Sequence, residues 1–344
     1  EIANCVIDVN DSLLNNISLS IYKNNQFYGK VYSSSGFFQA GVDTGNYEIS
    51  VDTISFTPAS VICPISNINT SALPNYAAVD SLNDFGVTCN GLFDIGIRYL
   101  LKDRPFFPGD SVVVSIIGGD LSNFYNLRCA TGISGTLQII ITGPVTYVSP
   151  APGALTPIVN FDTLTYTIPD YGLVNYTDDF KFILLTDTNA QTGQQVCFDV
   201  EFTPVIGDAE PSNNLYSICA IVGTSLDPNR KDVIPDGIID STSQWLTYTV
   251  HFQNTGNAPA QDIYILDTLS TNVDASSFQL LYYSHQPLTQ LTGRKIRFNF
   301  PNINLPDSTN DEPNSHGFVQ YRVKTKPGLQ DAAGRKTQAG RPSL

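Results

Sequence analysis

Along this chain, apolar residues recur at every second position in short runs separated by Asn, Asp, Gly and Pro, as in β-strands joined by turns. The stretch 245–269 shows the pattern most clearly. Leu246, Tyr248, Val250 and Phe252 alternate with Thr247, Thr249, His251 and Gln253, which places one apolar face inward. Asn254 to Ala260 then supplies turn chemistry, because Asn and Gly tolerate positive φ and Pro259 has no amide hydrogen to give to a ladder. Ile263 and Ile265 resume the alternation, so a β-hairpin over 245–269 is expected, as in a β-sandwich. Near the other end, Ile17, Leu19 and Ile21 alternate, Lys23 to Gln26 turns, and Phe27 to Tyr32 returns. Between them, strands are expected at 110–117, 135–142, 164–168, 180–186, 196–203 and 215–222.

Composition sharpens this into a fold class. Only 15% of the 344 residues are charged, Glu is scarce beside Asp, and Met is absent. Thr, Tyr, Val and Ile favour strands, while Asp, Asn, Gly and Pro favour turns. The expected fold is therefore all-β, as tandem immunoglobulin-like β-sandwiches that abut in a rod. The length suits two or three cores. A net charge of −14 excludes the basic surface that nucleic acid requires and fits a soluble extracellular surface. No run of 18 apolar residues could span a membrane. The chain starts on Glu1 without a signal peptide, as a mature or excised fragment would.

Several segments carry a resemblance to known families. FQNTGNAPAQDIYILDTL (252–269) resembles the repeated β-sandwich domains of large surface and secreted proteins of Bacteroidota. Upstream, Leu226 to Pro235 is similar to the "S-x-DPNDK-x-V-x-P" lead-in of that domain, and downstream LPDSTNDEPNSHGFV (305–319) resembles its "NSHGFV" strand. Such domains usually precede a C-terminal sorting domain for type IX secretion, so the resemblance implies export and contact with the secretion machinery. The closing "IYFDFNxP"-like strand is missing, and 330–344 resembles none of it, as a truncation or foreign tail would. An unclosed domain would leave a strand at Phe318–Lys324 or Trp245–Phe252 without a neighbour and prone to self-association.

Residues 17–51 resemble the half-domain of carboxypeptidase-regulatory-like and B-type adhesin sandwiches. Residues 94–120 (DIGIRYLLKDRPFFPGDSVVVSIIGGD) and the Gly207–Asn214 turn resemble further segments of the Bacteroidota family. The expected units are 1–90, 91–223 and 224–329, followed by a tail at 330–344.

Candidate chemistry is sparse. The cysteines form no C-x-x-C pair and no Cys–His cluster, which favours disulfides over zinc. Cys197 and Cys219 lie symmetrically about Asp208, so a hairpin with that centre would set them face to face. Cys63 with Cys89 is the next pairing expected, which leaves Cys5 and Cys129 unassigned. Calcium is the chemical option best suited to the loop oxygens of Asp8, Asn10 and Asp11 and of Asp227, Asn229 and Asp232, with Asp236 and Asp240 nearby. The competing reading makes these Asx-turns at strand ends.

Asp followed by Ser or Thr and then an aliphatic residue or Thr recurs at Ser12, Thr53, Ser81, Ser111, Thr163, Ser241, Thr268 and Ser308. The pattern resembles the O-glycosylation signal of Bacteroidota, and is equally ordinary strand-end chemistry. All three histidines, His251, His285 and His316, fall after residue 223, and no hydrolase, zinc-protease or phosphate-loop motif is present.

A non-enzymatic module of the cell surface or extracellular space follows, either a spacer stalk or an adhesin. The alternatives are an accessory stalk of a secreted enzyme and a carbohydrate-binding module using some of the 17 Tyr and 19 Phe.

Overall fold

The computed structural model describes residues 11–53, 56–223, 229–234 and 244–327. The chain is all-β; among the described residues, helical turns are short 3₁₀ segments such as Leu121–Tyr125. The early strands are β1 (Ser18–Lys23), β2 (Gln26–Tyr32), β3 (Gly45–Val51), β4 (Ala59–Cys63), β5 (Asn69–Leu73) and β6 (Gly86–Cys89). Next come β7 (Ile95–Lys102), β8 (Ser111–Asp120), β9 (Gly135–Thr142), β10 (Val145–Pro150), β11 (Ile158–Asn160) and β12 (Thr163–Ile168). β13 (Lys181–Thr186), β14 (Gln195–Thr203), β15 (Leu215–Ile221), β16 (Lys231–Ile234) and β17 (Trp245–Gln253) follow. The last are β18 (Ile263–Thr268), β19 (Val273–Tyr283), β20 (Leu288–Thr292), β21 (Lys295–Phe300) and β22 (His316–Thr325).

Two compact units form, not three. The first takes Glu1–Ser55, Val61–Val87 and Asp227–Leu344; the second takes Phe56–Ser60 and Thr88–Leu226. In the first, a seven-stranded sheet runs β18-β21-β20-β2-β1-β3-β5 opposite a four-stranded sheet, β16-β17-β22-β19. The joint between chain ends is the β2–β20 ladder, with Gly29↔Thr292, Lys30↔Leu291 and Val31↔Gln290. The expectation of separate sandwiches at 1–90 and 224–329 is thus corrected: both segments contribute strands to one sheet. Period-two alternation fixes which face a residue takes but not which strand lies beside it. Aromatic rings bridge the two sheets. Tyr32 meets Phe278 edge-on at 5.9 Å, Phe252 lies 5.3 Å from Phe300, and Phe298 lies 5.9 Å from Tyr321.

The hairpin expected over 245–269 is a second correction. Its two strands exist, and Leu246, Val250 and Phe252 point into the core, but they belong to opposite sheets. β17 pairs with β16 and β22, whereas β18 pairs with β21. The intervening residues form a crossing arch held by Asn254, whose Nδ2 donates to the carbonyls of Ala258 (2.9 Å) and Leu305 (3.0 Å). A third correction follows from the same sheet. β22 lies between β17 and β19, so neither Phe318–Lys324 nor Trp245–Phe252 lacks a neighbour, and the basis for self-association through that edge is gone. Residues 330–344 lie outside the described residues.

In the second unit, β10-β13-β8-β7 faces β11-β12-β9-β14-β15. β9 and β14 alternate buried and accessible positions, as their sequences require, while β8 is buried almost throughout. Val112, Ile116, Leu137, Ile139, Phe182 and Phe202 are wholly inaccessible and anchor a single core. The strands fall close to the positions expected from alternation.

Cys197 faces Cys219 in the β14–β15 register, and the two are bridged at 2.06 Å. Cys89 is bonded to Cys129, which corrects the pairing of Cys63 with Cys89. β4 pairs with β6, and a Cβ added at Gly86 would sit 3.2 Å from the Cys63 Cβ, while Cys89 is taken by Cys129. Cys63 is itself disulfide-bonded, and no described cysteine is free.

Gly29 sits at the β2–β20 joint, where a Cβ would lie 2.2 Å from the Leu291 carbonyl oxygen. Gly29→Val is therefore expected to destabilise the first unit by about 1–3 kcal/mol through overpacking. Gly41→Val is the control, since nothing lies within 4 Å of its Cβ position. Equal melting temperatures for the two variants would contradict the joint.

Candidate functional site

Three polar arrangements stand out from the strand framework: buried Lys–Asp pairs, an acidic cluster, and an open groove. In the first unit, Lys30 on β2 is 2% exposed and its Nζ donates to Asp52 Oδ2, with the Phe278 carbonyl at 3.3 Å. Lys231 on β16 reaches Asp267 on β18 at 2.5 Å, and the Tyr321 hydroxyl donates to the same carboxylate at 2.5 Å. The Lys231 ammonium also sits 4.5 Å from the Tyr248 ring centroid. Burial, reinforced by the Asp267 charge, pushes the Tyr321 hydroxyl well above its ordinary value. Each pair ties two segments of the unit and satisfies both charges internally, which makes them framework rather than reactive groups.

In the second unit, acidic groups gather about the start of β7. Asp94 is buried and accepts from Asn213 Nδ2 at 2.8 Å. Burial pushes its carboxyl up to about 7, against the hydrogen bond from Asn213 and the charge of Arg98. Asp208 is also raised by burial, although it accepts from the backbone amides of Ile95 and Glu210, both at 2.8 Å. Asp120 shifts the same way and caps Ser122 and Ala130 through their amides. The carboxylates are thus turn and strand-end caps. Among the described residues no group of three or more His, Cys, Asp or Glu could hold a metal ion.

The calcium candidates are placed in part. Asp8, Asn10 and Asp227, with Asp236 and Asp240, lie outside the described residues, and Asp11 is half-buried near the start of the first unit. Asp232 accepts from Arg230 Nε at 2.8 Å and lies 3.2 Å from His251 Nε2; Asn229 Oδ1 accepts from the Gln253 amide at 3.1 Å. Burial alone would raise the Asp232 carboxyl, but His251 and Arg230 outweigh it and hold it below its ordinary value. Its oxygens serve protein cations.

Of the Asp-Ser/Thr positions, Ser12, Thr53, Ser81, Ser111 and Thr268 are exposed, Thr163 and Ser308 are half-buried, and Ser241 lies outside the described residues. Ser284 Oγ lies 2.9 Å from His285 Nδ1 and accepts from the Phe318 amide at 2.8 Å, which braces the backbone.

The groove combines side chains held by the fold, Tyr47 on Asp43 and Ser71 on Asp80, with others that are not. About 390 Å³ in volume, it is lined by Asn24, Asn25, Asn46, Glu48 and Thr70, with Tyr47 below. Asn24 and Asn25 form the two-residue turn between β1 and β2, with φ of 51° and 60°, a conformation that Asn tolerates better than most residues. Glu48 on β3 stands between Tyr22 on β1 and Thr70 on β5, so all three share one face. Tyr22 in turn opposes Phe27, their rings 6.0 Å apart and edge-on. Nearby, Lys23 is matched by Asp43 at 2.6 Å, whose carboxyl it holds down, so Glu48 is the uncompensated charge. The Asn turn and the strands are local in sequence, whereas the groove is not, because its wall is assembled across three strands.

Residues 227–340 match a family described as Domain of unknown function (DUF7619), which covers the C-terminal part of the chain. No curated protein matches. Among solved structures, the collagen-binding domain of Erysipelothrix rhusiopathiae surface protein RspB is similar at 10% identity and TM-score 0.21, over 73% of this chain and 92% of that one. The collagen adhesin of S. aureus gives 12% and 0.20, over 68% and 83%. The C-terminal domain of the Streptococcus agalactiae AgI/II polypeptide BspA gives 10% and 0.18, over 66% and 87%. Likeness at such scores carries no inference about ligand or role.

Two outcomes test the electrostatics. Asp94 has a folded-state value near 7 against an ordinary 3.8, so the protonated form is favoured by folding. Its contribution is fully present below about pH 4 and is lost as pH rises through 7, an effect on the order of 4 kcal/mol. The second unit should therefore melt higher at pH 5 than at pH 8, and Asp94→Asn should flatten that slope; an unchanged slope in the variant would refute it. Asp52→Ala strands the Lys30 ammonium in the core and should cost about 3–5 kcal/mol by denaturant titration. Lys30→Met with Asp52→Leu should recover most of the loss, and a neutral Asp52→Ala would show the pair to be dispensable.

Proposed function

We propose that this chain is a non-catalytic extracellular module, a spacer or adhesin of a surface or secreted protein. The observation that carries this reading is that every described cysteine is in a disulfide, the state maintained in oxidising compartments. Supporting it, the buried charges are committed to holding strands together, His251 is paired with Asp232, and His316 lies in the β22 ladder. Export by type IX secretion, implied by the resemblance of residues 226–319, belongs to the same proposal, as do O-glycans on the exposed Asp-Ser/Thr sites.

The test is treatment of intact producing cells with a membrane-impermeant amine label and external protease, followed by mass spectrometry without reductant. The expected result is a labelled, cleavable chain that carries the Cys89–Cys129 and Cys197–Cys219 linkages, glycan mass on the exposed sites, and loss of surface exposure when type IX export is disabled. A protected chain with free thiols would overturn the extracellular reading.

A further inference from the structure

We infer that the groove between the β1–β2 turn and the β3–β5 face binds a neutral, polyhydroxylated ligand, an oligosaccharide chain. This rests on the reading of the chain as an extracellular binding module. The first observation is chemical. Asn24, Asn25, Asn46, Glu48 and Thr70 line one groove, and no other protein group among the described residues engages their side chains. Several amides elsewhere in the first unit are held by the fold, as with Asn16 on Tyr283, Asn67 on the Val51 backbone and Asn254 on its arch. Amides donate and accept at once, a carboxylate accepts twice, and a hydroxyl does either, which is the complement of a ring bearing several hydroxyls.

The second observation is the neighbouring ring pair. Tyr22 and Phe27, both half-buried, stand on the same face in register with Glu48, where the apolar side of a sugar ring can lie against them. Volume adds a third point, since about 390 Å³ falls within the range of small-molecule sites.

Charge and topology remove the competitors. An anionic ligand would meet Glu48 on a protein of net charge −14. A metal ion would find a single carboxylate, since the Asp43 carboxyl is taken by Lys23 and Tyr47. A peptide strand added to β5, the sheet edge, would use the row of edge amides, whereas the uncommitted groups here are side chains on the sheet face.

The experiment titrates the full chain, labelled with ¹⁵N, with four probes. They are a set of neutral hexasaccharides (cello-, xylo-, manno- and maltohexaose), an oligogalacturonate, a Lys-rich peptide, and an alternating Thr–Val peptide. The expected result is saturable shifts from at least one neutral hexasaccharide, centred on Asn25, Asn46, Glu48 and Thr70. Glu48→Gln and Thr70→Ala should each weaken that binding about tenfold, consistent with loss of one hydrogen bond, while leaving the melting temperature unchanged.

Binding of the Lys-rich or strand-forming peptide at these residues with no hexasaccharide effect would overturn the assignment. So would binding by the oligogalacturonate alone, no shift from any probe, or hexasaccharide affinity that survives both substitutions. These outcomes are independent of cell localisation, so the groove can fail while the extracellular reading stands.

Discussion

The structure depends on one ladder, the pairing of β2 with β20. β2 carries β1 on one side, and its other row of amides and carbonyls has to be matched; β20 carries β21 on one side and has the same need. Joining them closes seven strands into one sheet drawn from both ends of the chain. Loop-closure entropy grows only logarithmically with the residues enclosed, so a distant partner is affordable where it removes two exposed edges. Gly29 permits the approach, since any side chain there would collide with the Leu291 carbonyl.

Buried charge reinforces that joint. Lys30 lies within the joining ladder itself, and its ammonium reaches Asp52 beyond β3 and the Phe278 carbonyl on the facing sheet. Lys231 and Asp267 connect β16 with β18, one strand from each sheet. A buried ion pair gives little net stability relative to apolar residues of the same shape, yet removing one partner is costly. Such pairs therefore act as selectors of register: a slipped sheet would strand an ammonium in the core. Asp94 in the second unit follows a different route, in which burial drives the carboxyl towards its neutral form. In the groove, by contrast, the side chains of Asn24, Asn25, Asn46, Glu48 and Thr70 are left to solvent, beside Tyr47 and Ser71 that the fold holds.

Much of the fold was legible in the sequence. The all-β class, the strand positions of the second unit and the face-to-face setting of Cys197 and Cys219 follow from alternation and turn chemistry, which act between residues close in the chain. The Asn24–Asn25 turn was equally local. The partner of each strand was not legible. β17 and β18 read as a hairpin because they are consecutive and both alternate, yet an arch at Asn254 sends them to opposite sheets. Nor was the partner of Cys89 legible, which is Cys129, 40 residues away in the chain, and not Cys63.

The sequence by itself determined which residues form strands, which face of each strand is apolar, and where the chain turns. These are consequences of side-chain chemistry at a spacing of two. Only the tertiary structure decided that residues near the two ends of the chain share a sheet, that Lys30 and Lys231 are buried against carboxylates, and that Asn24, Glu48 and Thr70 line one groove. The physical reason is that backbone hydrogen bonding is the same for any partner strand. Sheet order is therefore settled by which complete set of pairings leaves the fewest exposed edges and unpaired buried charges, a property of the whole unit.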